Sequence, residues 1–482
     1  MLSRVWSSTT VGVEALPVEI ETHIEGGMPK YTVVGLPQGA VRESRDRIWA
    51  ALENRGLPRP RGRITVNMAP ADLTKEKAAF DLPIALGLMA ARDENLDRER
   101  LSGTFVTGEL ALDGAVRSVN GVLPMAMRAR EEGYKAVVVP DENAPEAAVV
   151  DGLDVYPVST IEEAHGLFAG NGPAPYERAS RNGAPGEEQT IRDFSDVRGQ
   201  KNVKRALEVA AAGGHNALMV GPPGAGKTML ARRLPGVLPP LSHAEALETT
   251  KIHSVGGKLS SDGLVTRRPF RSPHHTISDV GLCGGGTKPM PGEISMAHNG
   301  VLFLDELPEF KRSVLEVMRQ PIEEGRITIS RASYTADYPA RFMLVASMNP
   351  CPCGHLNDPK RECVCSPAQV QRYLSRISGP LLDRIDLHVE VTPVPFDELS
   401  RERGGEPSAK VRERVVAARR LQGERFAEER GVHGNAQMTT RQVQTHCDLD
   451  KAGRQLLKKA IQRLGLSARA YDRTLDRESW GR

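Results

Sequence analysis

The sequence predicts an α/β protein: a parallel sheet carrying a phosphate-binding loop, preceded by an α+β domain and closed by a helical segment. Three observations predict it. A glycine-rich turn, Gly221-Pro222-Pro223-Gly224-Ala225-Gly226-Lys227-Thr228, follows the apolar run Ala217–Val220. Two further runs, Val301–Leu304 and residues 342–346, are apolar along their whole length, as strands of a sheet covered on both faces are. Residues 170–186 are rich in Gly, Pro, Ala and Asn without an apolar period, which reads as a flexible joint between two domains.

The glycine turn is the strongest chemical signal. It matches G-x-x-x-x-G-K-[ST], in which glycines let backbone N–H groups turn inward around phosphate oxygens. A helix starting near Lys227 adds the positive end of its dipole. Lys227 supplies a point charge for the β- and γ-phosphates, and the Thr228 hydroxyl can ligate Mg²⁺. The second signal is the strand Val301–Leu304, which delivers Asp305 and Glu306 at its carboxyl end, where open α/β sheets bind ligands. Asp305 suits Mg²⁺, held through water, and Glu306 suits the orientation of an attacking water. The run 342–346 leads to Asn349, placed to contact a γ-phosphate. By itself an Asn-Pro strand end is equally a turn.

The order of these three motifs resembles the AAA+ ATPases. The resemblance implies a P-loop core with a parallel sheet and a helical lid, using ATP and Mg²⁺. It assigns Asn349 to the sensor 1 position. Arg384, within Leu381-Leu382-Asp383-Arg384-Ile385-Asp386, resembles the arginine finger of the magnesium-chelatase branch, which reaches a neighbouring subunit's nucleotide. Arg469, within Leu466-Ser467-Ala468-Arg469-Ala470, is similar to that branch's sensor 2. Val197, Gly199 and Gln200 stand where the family surrounds adenine. An arginine finger acting in trans implies a ring.

A closer resemblance covers nearly the whole chain. Arg268-Pro269-Phe270-Arg271-Ser272-Pro273-His274-His275, Gly284-Gly285-Gly286 and residues 291–300 resemble the magnesium-chelatase-like ComM/YifB family, as do Val34-Gly35-Leu36-Pro37, Asn67 to Asp72 and Phe80-Asp81-Leu82-Pro83. That family implies a hexameric DNA motor for helicase or branch-migration work in recombination and natural transformation. A chelatase-type motor remodelling a protein partner is the alternative. Arg267, Arg268 and Arg271 with His274 and His275 form a basic patch, and residues 326–331, ending in Arg331, lead into a hairpin. Both are candidate DNA contacts, since a phosphate-tracking channel needs positive charge but little base reading. A solvated basic loop has the same composition.

Residues 108–121 and 136–143 resemble the proteolytic (S5-type) domain of Lon. Lon's Ser–Lys dyad has no counterpart here, because residues 75–81 hold no serine and residues 120–125 no lysine. The expected organisation is therefore an inactive Lon-protease-like domain over 1–169 and a linker over 170–190. An AAA+ core over 191–395 and a lid over 396–482 follow. Past Tyr471 the sequence departs from the family's pattern, so a shortened lid is expected.

Inside the core, Cys351, Cys353, Cys363 and Cys365 place four thiols within one short segment. Four thiolates suit tetrahedral Zn²⁺, with His355 as a substitute ligand, while C-x-C is tighter than the usual spacing and reduced loop cysteines would look the same.

Composition sets outer bounds. The 482 residues suggest two to four domains at about 100–200 residues each. With 4% aromatics, the cores must be mostly aliphatic. Net charge is +3, yet residues 410–482 hold 17 Lys and Arg against 9 Asp and Glu, a net of +8 that leaves the remainder near −5. A basic end segment serves a polyanion or simply a solvated helical face. No apolar h-region opens the chain and no run approaches the ~20 residues that span a bilayer. The expectation is a cytosolic protein with unpaired cysteines.

Overall fold

The computed structural model describes residues 2–75, 77–177, 192–259, 263–286, 289–331, 334–358, 361–394, 405–429, 434–447 and 450–464. Two compact units divide the chain: residues 1–186 with 243–265 and 332–337, and residues 187–242 with 266–331 and 338–482.

The first unit is a seven-stranded mixed sheet in the order Lys30–Val34, Arg63–Ala69, Glu14–Glu25, Leu2–Val11, Thr104–Val106, Ala136–Pro140, Asp154–Val158. The two long strands pair antiparallel from Leu2 against His23 to Val11 against Glu14. Helix Asp81–Ala90 is buried at all ten positions and belongs to the core with Val5, Val18, Ile20 and Val66. Helix Val122–Glu131 packs on helix His243–Val255 of the same unit, with the Gly121 N–H donating to the Ser254 carbonyl at 3.2 Å.

One buried charge pair anchors this unit. Arg47 Nε and Nη2 donate to the two Asp81 carboxylate oxygens at 2.6 and 2.8 Å, and the Asp81 side chain is 1% exposed. Burial pushes the Asp81 carboxyl up to about 6 even with the Arg47 guanidinium pulling it down. The folded state therefore holds that proton more tightly than the unfolded chain does. The resulting stabilisation is complete below about pH 4 and is lost as pH rises through about 6. Removing the cation leaves a buried unpaired carboxylate, a change that costs about 3–5 kcal/mol. Arg47→Met is expected to lower the unfolding midpoint at pH 8 and to lower it less at pH 5, where Asp81 sheds its charge. Thermal melts at both pH values check this; an unchanged midpoint at pH 8 removes the pair from its structural role.

The second unit is built on a five-stranded parallel sheet. Its strands are Ala217–Val220, Phe270–Arg271, Val301–Leu304, Met343–Met348 and Leu387–Glu390. Numbered in that chain order they lie 5-1-4-3-2 across the sheet. Every residue of Val301–Leu304 and of Met343–Met348 is buried, which is why those runs are apolar throughout. Helix Lys201–Gly213 packs on helix Ser408–Arg425. Arg414 ties them by donating to both Glu208 oxygens at 2.7 and 3.1 Å and to Glu406 at 2.7 and 2.8 Å. The helical end predicted from the polar C-terminal sequence appears as helices Ser408–Arg425, Thr440–His446 and Lys451–Leu464. Strand Arg326–Arg331 also belongs to this unit. Residues 178–190 of the expected linker, residue 191, and the end of the lid with Arg469 lie outside the described residues.

Candidate active site

The 5-1-4-3-2 order places the first strand between the fourth and the fifth, and crevices at such switch points hold the ligands of open α/β sheets. The loops that leave strands one, three and four at their carboxyl ends carry Gly221 to Thr228, Asp305 with Glu306, and Asn349. Residues more than a hundred positions apart in sequence thus meet on one edge.

The glycine turn is held by its surroundings. A Cβ on Gly221 would lie 2.1 Å from the Val391 carbonyl oxygen, so only glycine fits there. Gly224 and Gly226 take φ of 78° and 90°, values that suit glycine. The Lys227 ammonium donates to the Gly221 and Pro222 carbonyls at 2.6 and 2.9 Å and to Asn349 Oδ1 at 3.1 Å. Burial pushes the Lys227 ammonium below the usual lysine range, with Asp305 and Glu306 pulling the other way. The helix it opens is a short one, Lys227–Ala231.

Across the edge, the Thr228 hydroxyl donates to Asp305 Oδ2 at 2.7 Å, and the Ser347 hydroxyl donates to Asp305 Oδ1. A hydroxyl and a carboxylate brought together in this way are hard oxygen donors of the kind Mg²⁺ takes beside a phosphate, so the donor set fits that ion. Glu306 stands exposed at φ 55° and ψ 50°, a left-handed conformation costing a non-glycine residue on the order of 1–3 kcal/mol. Its own N–H, donating to Asp305 Oδ1 at 3.1 Å, helps hold it there. His275 Nδ1 lies 3.6 Å from Glu306 Oε2. The sequence reading put His275 with the basic DNA patch; the structure places it beside the acidic pair. Strand Phe270–Arg271, parallel to Val301–Leu304, brings it there, and only the strand order could have signalled that.

The other predicted residues are placed as follows. Val197 is 1% exposed and part of the core. Gly199 and Gln200 both have positive φ, 63° and 54°, in the turn before helix Lys201–Gly213. Gln200 Nε2 donates to Thr392 O at 2.6 Å and Ala225 O at 3.4 Å, which tethers this segment to the phosphate loop. Arg384 is 8% exposed and bonds Glu323 at 2.6 Å and the Pro380 carbonyl at 2.5 Å within its own chain.

The basic patch contracts. Arg268 donates to the carbonyls of Pro239 and Asn299 at 2.6 and 2.7 Å. Arg271 forms a bidentate pair with Glu293 at 2.5 and 2.6 Å. Both guanidiniums serve the domain's own structure, because each loop around the sheet needs its carbonyls and carboxylates satisfied. Arg267 is exposed, and Arg331 ends the strand Arg326–Arg331.

Comparison with known proteins bears on this arrangement over almost every residue. The family model "Magnesium chelatase, subunit ChlI" matches residues 193–399, "Subunit ChlI of Mg-chelatase" matches 20–143, and "Magnesium chelatase, subunit ChlI C-terminal" matches 405–477. The chain is 44% identical to the competence protein ComM of Haemophilus influenzae, over 98% of this chain and 92% of that one. The chain belongs to the ComM/YifB family of magnesium-chelatase-like proteins. Its identity to YifB of Escherichia coli is also 44%, over 98% of this chain and 92% of YifB. A more distant match, 27% identical over 30% of this chain and 28% of the relative, is Lon protease 2 of Bacillus subtilis. Both alignments run through the N-terminal region as well as through residues 193–399. In that region Lys75 is fully buried against the carbonyls of Met68 and Pro70, and Lys77 reaches the Thr10 hydroxyl. Among the described residues no helix is long and apolar enough to cross a membrane.

Proposed function

We propose that this ComM/YifB protein is an Mg²⁺-dependent ATPase that works as a hexameric, ComM-type motor on DNA in the cytoplasm. One observation carries the ATPase reading: Lys227, Thr228, Asp305, Glu306 and Asn349 converge at the switch point, with Thr228 bonded to Asp305 and Lys227 to Asn349. In this reading the glycine turn and Lys227 bind the phosphates, Val197, Gly199 and Gln200 flank the base, and Thr228 with Asp305 holds the Mg²⁺. That ion supplies charge neutralisation for the transferring phosphoryl group. Glu306 orients the attacking water and accepts its proton. Asn349 reads the γ-phosphate.

Assembly into a ring would let Arg384 and Arg469 complete the site. Arg384 must leave Glu323 to reach a neighbour, so subunit contact and the loss of that ion pair go together. The DNA reading is supported by kinship with a competence protein and by the basic residues Arg267 and Arg331 and the basic C-terminal segment. The N-terminal domain is read as Lon-protease-like without protease activity, because neither the serine nor the lysine of the dyad is present. The magnesium-chelatase kinship over 193–399 keeps a second reading, a motor that remodels a protein partner.

Steady-state ATP turnover with and without single-stranded or branched DNA separates them. The DNA motor is expected to run at least about threefold faster with DNA and to lose that gain as salt rises, because phosphate contacts are counterion-linked. Turnover indifferent to DNA, with no binding in the presence of an ATP analogue, favours the protein-remodelling reading. A protein that consumes no ATP in any condition sinks both.

A further inference from the structure

The segment that follows Asn349 is an irregular loop: residues 351–358 and 361–365 form neither helix nor strand. Loops of this length with no secondary structure of their own are uncommon in compact domains. Four thiols stand in this one. The sulfurs of Cys351, Cys353, Cys363 and Cys365 all lie within 4.8 Å of one another. Cys351 Sγ is 3.4 Å from Cys353 Sγ and 3.7 Å from Cys363 Sγ, and the last two are 3.6 Å apart. A disulfide would bring two sulfurs to about 2.05 Å. A tetrahedron of thiolates at the usual Zn–S distance of about 2.3 Å has edges of about 3.8 Å, close to the observed spacings.

The backbone is shaped for the same end. The Gly354 N–H donates to the Cys351 carbonyl at 3.0 Å, closing a tight turn around Cys351-Pro352-Cys353. The Leu356 N–H points at Cys351 Sγ at 3.3 Å. His355, the sequence's candidate substitute ligand, instead has its Nδ1 at 3.0 Å from Asp358. The ligand set is thus four cysteines, with Cys351 fully buried and the others half-buried.

We propose that Cys351, Cys353, Cys363 and Cys365 bind one Zn²⁺ as a closed structural site that fixes the Asn349 loop against the phosphate loop. The four thiols bind as thiolates and release their protons to solvent; no redox change is involved. The placement gives the ion its purpose, and this part rests on the nucleotide reading above. Gly354 sits at φ 82°, and a Cβ there would lie 2.6 Å from Pro223 Cδ in the phosphate loop. Leu356, Asn357 and Asp358 share a cavity of about 340 Å³ with Val220, Gly221 and Pro222. Just after Cys365 comes helix Pro367–Leu374, capped by Ser366, whose Tyr373 hydroxyl hydrogen-bonds the Asn349 backbone. Zinc would therefore tie both ends of the loop that links Asn349 to the segment bearing Arg384.

The test is metal analysis of the full chain purified without an affinity tag that binds metal. About one zinc per chain is expected, released by a mercurial reagent and not by dialysis against buffer. Replacement by Co²⁺ should give the intense visible bands of tetrahedral thiolate coordination. The double variant Cys351→Ser/Cys353→Ser should contain less than a tenth of the wild-type zinc. Should it fail to fold, Cys365→His keeps four ligands, and its cobalt spectrum should shift while zinc stays near one per chain. Wild-type protein with no zinc, whether its four thiols react at once with a thiol reagent or prove disulfide-bonded, overturns the proposal. Zinc content is read without ATP. A zinc-loaded protein that binds no nucleotide refutes the nucleotide reading and leaves the metal site standing; the converse result does the reverse.

Discussion

Glu306→Gln is expected to bind ATP as the wild type does and to hydrolyse it about 10²–10⁴-fold more slowly, the range in which a positioned general base contributes. Glutamine keeps the shape and the left-handed backbone at this position but cannot take a proton from water. Nucleotide affinity should persist, because the phosphate contacts assigned to Lys227, Thr228 and the glycine turn lie on the other loops. The neighbouring Asp305 cannot substitute: its two oxygens already accept from Thr228, Ser347 and the Glu306 N–H, whereas the Glu306 carboxylate is exposed. Phosphate release measured alongside equilibrium binding of a fluorescent ATP analogue decides the matter. Turnover within a few-fold of wild type would show that Glu306 does not activate the water, and His275, 3.6 Å from it, would be the next group to replace.

The readable parts of this protein are those where burial dictates residue type. Val301–Leu304 and Ala217–Val220 sit in a sheet covered on both faces, so their sequences are apolar end to end and their bounds are plain. The strand expected over 342–346 extends to Met348, because Ser347 is fully buried and satisfies its hydroxyl on Asp305; a polar letter looked like a strand end. The two longest strands, Leu2–Val11 and Glu14–Glu25, are only partly legible: Val18, Ile20 and Ile24 alternate with Glu19, Glu21 and His23, but elsewhere the pattern is broken. Their inward positions include Ser3, Ser7, Thr9 and Thr22, all buried, so small hydroxyl side chains stand where an apolar alternation would have announced a strand. Ser3 satisfies its hydroxyl on the Gly87 carbonyl at 2.6 Å.

The site divides in the same way. The phosphate loop is a contiguous string, and its chemistry is legible from spacing. The approach of His275 to Glu306 and the capture of Arg268 and Arg271 by carbonyls and Glu293 depend on which strands are neighbours, and a linear pattern does not contain that. The 5-1-4-3-2 order also explains why Asp305 and Asn349 both reach the glycine turn: strand four lies between strands one and three, so its terminal loop is within reach of each.

Lys227→Ala is expected to abolish measurable nucleotide binding. A buried ammonium making two charge-assisted contacts to phosphate, at about 1.5–3 kcal/mol each, accounts for about 3–6 kcal/mol, or at least a hundredfold in Kd. Lys227 also bonds the Gly221 and Pro222 carbonyls and Asn349, so the variant could lose binding merely because its loop collapses. Ligand linkage separates the two causes. At a nucleotide concentration a hundred times Kd, the wild type gains about 2.7 kcal/mol, which raises a melting midpoint by several degrees for a domain of this size. If the ammonium acts on phosphate, the variant melts near the wild-type midpoint without nucleotide and does not respond to its addition. If binding is lost only because the brace is gone and the loop collapses, the variant melts lower without nucleotide as well as failing to respond to it. A variant midpoint that climbs with added ATP as the wild type's does would remove Lys227 from the binding site.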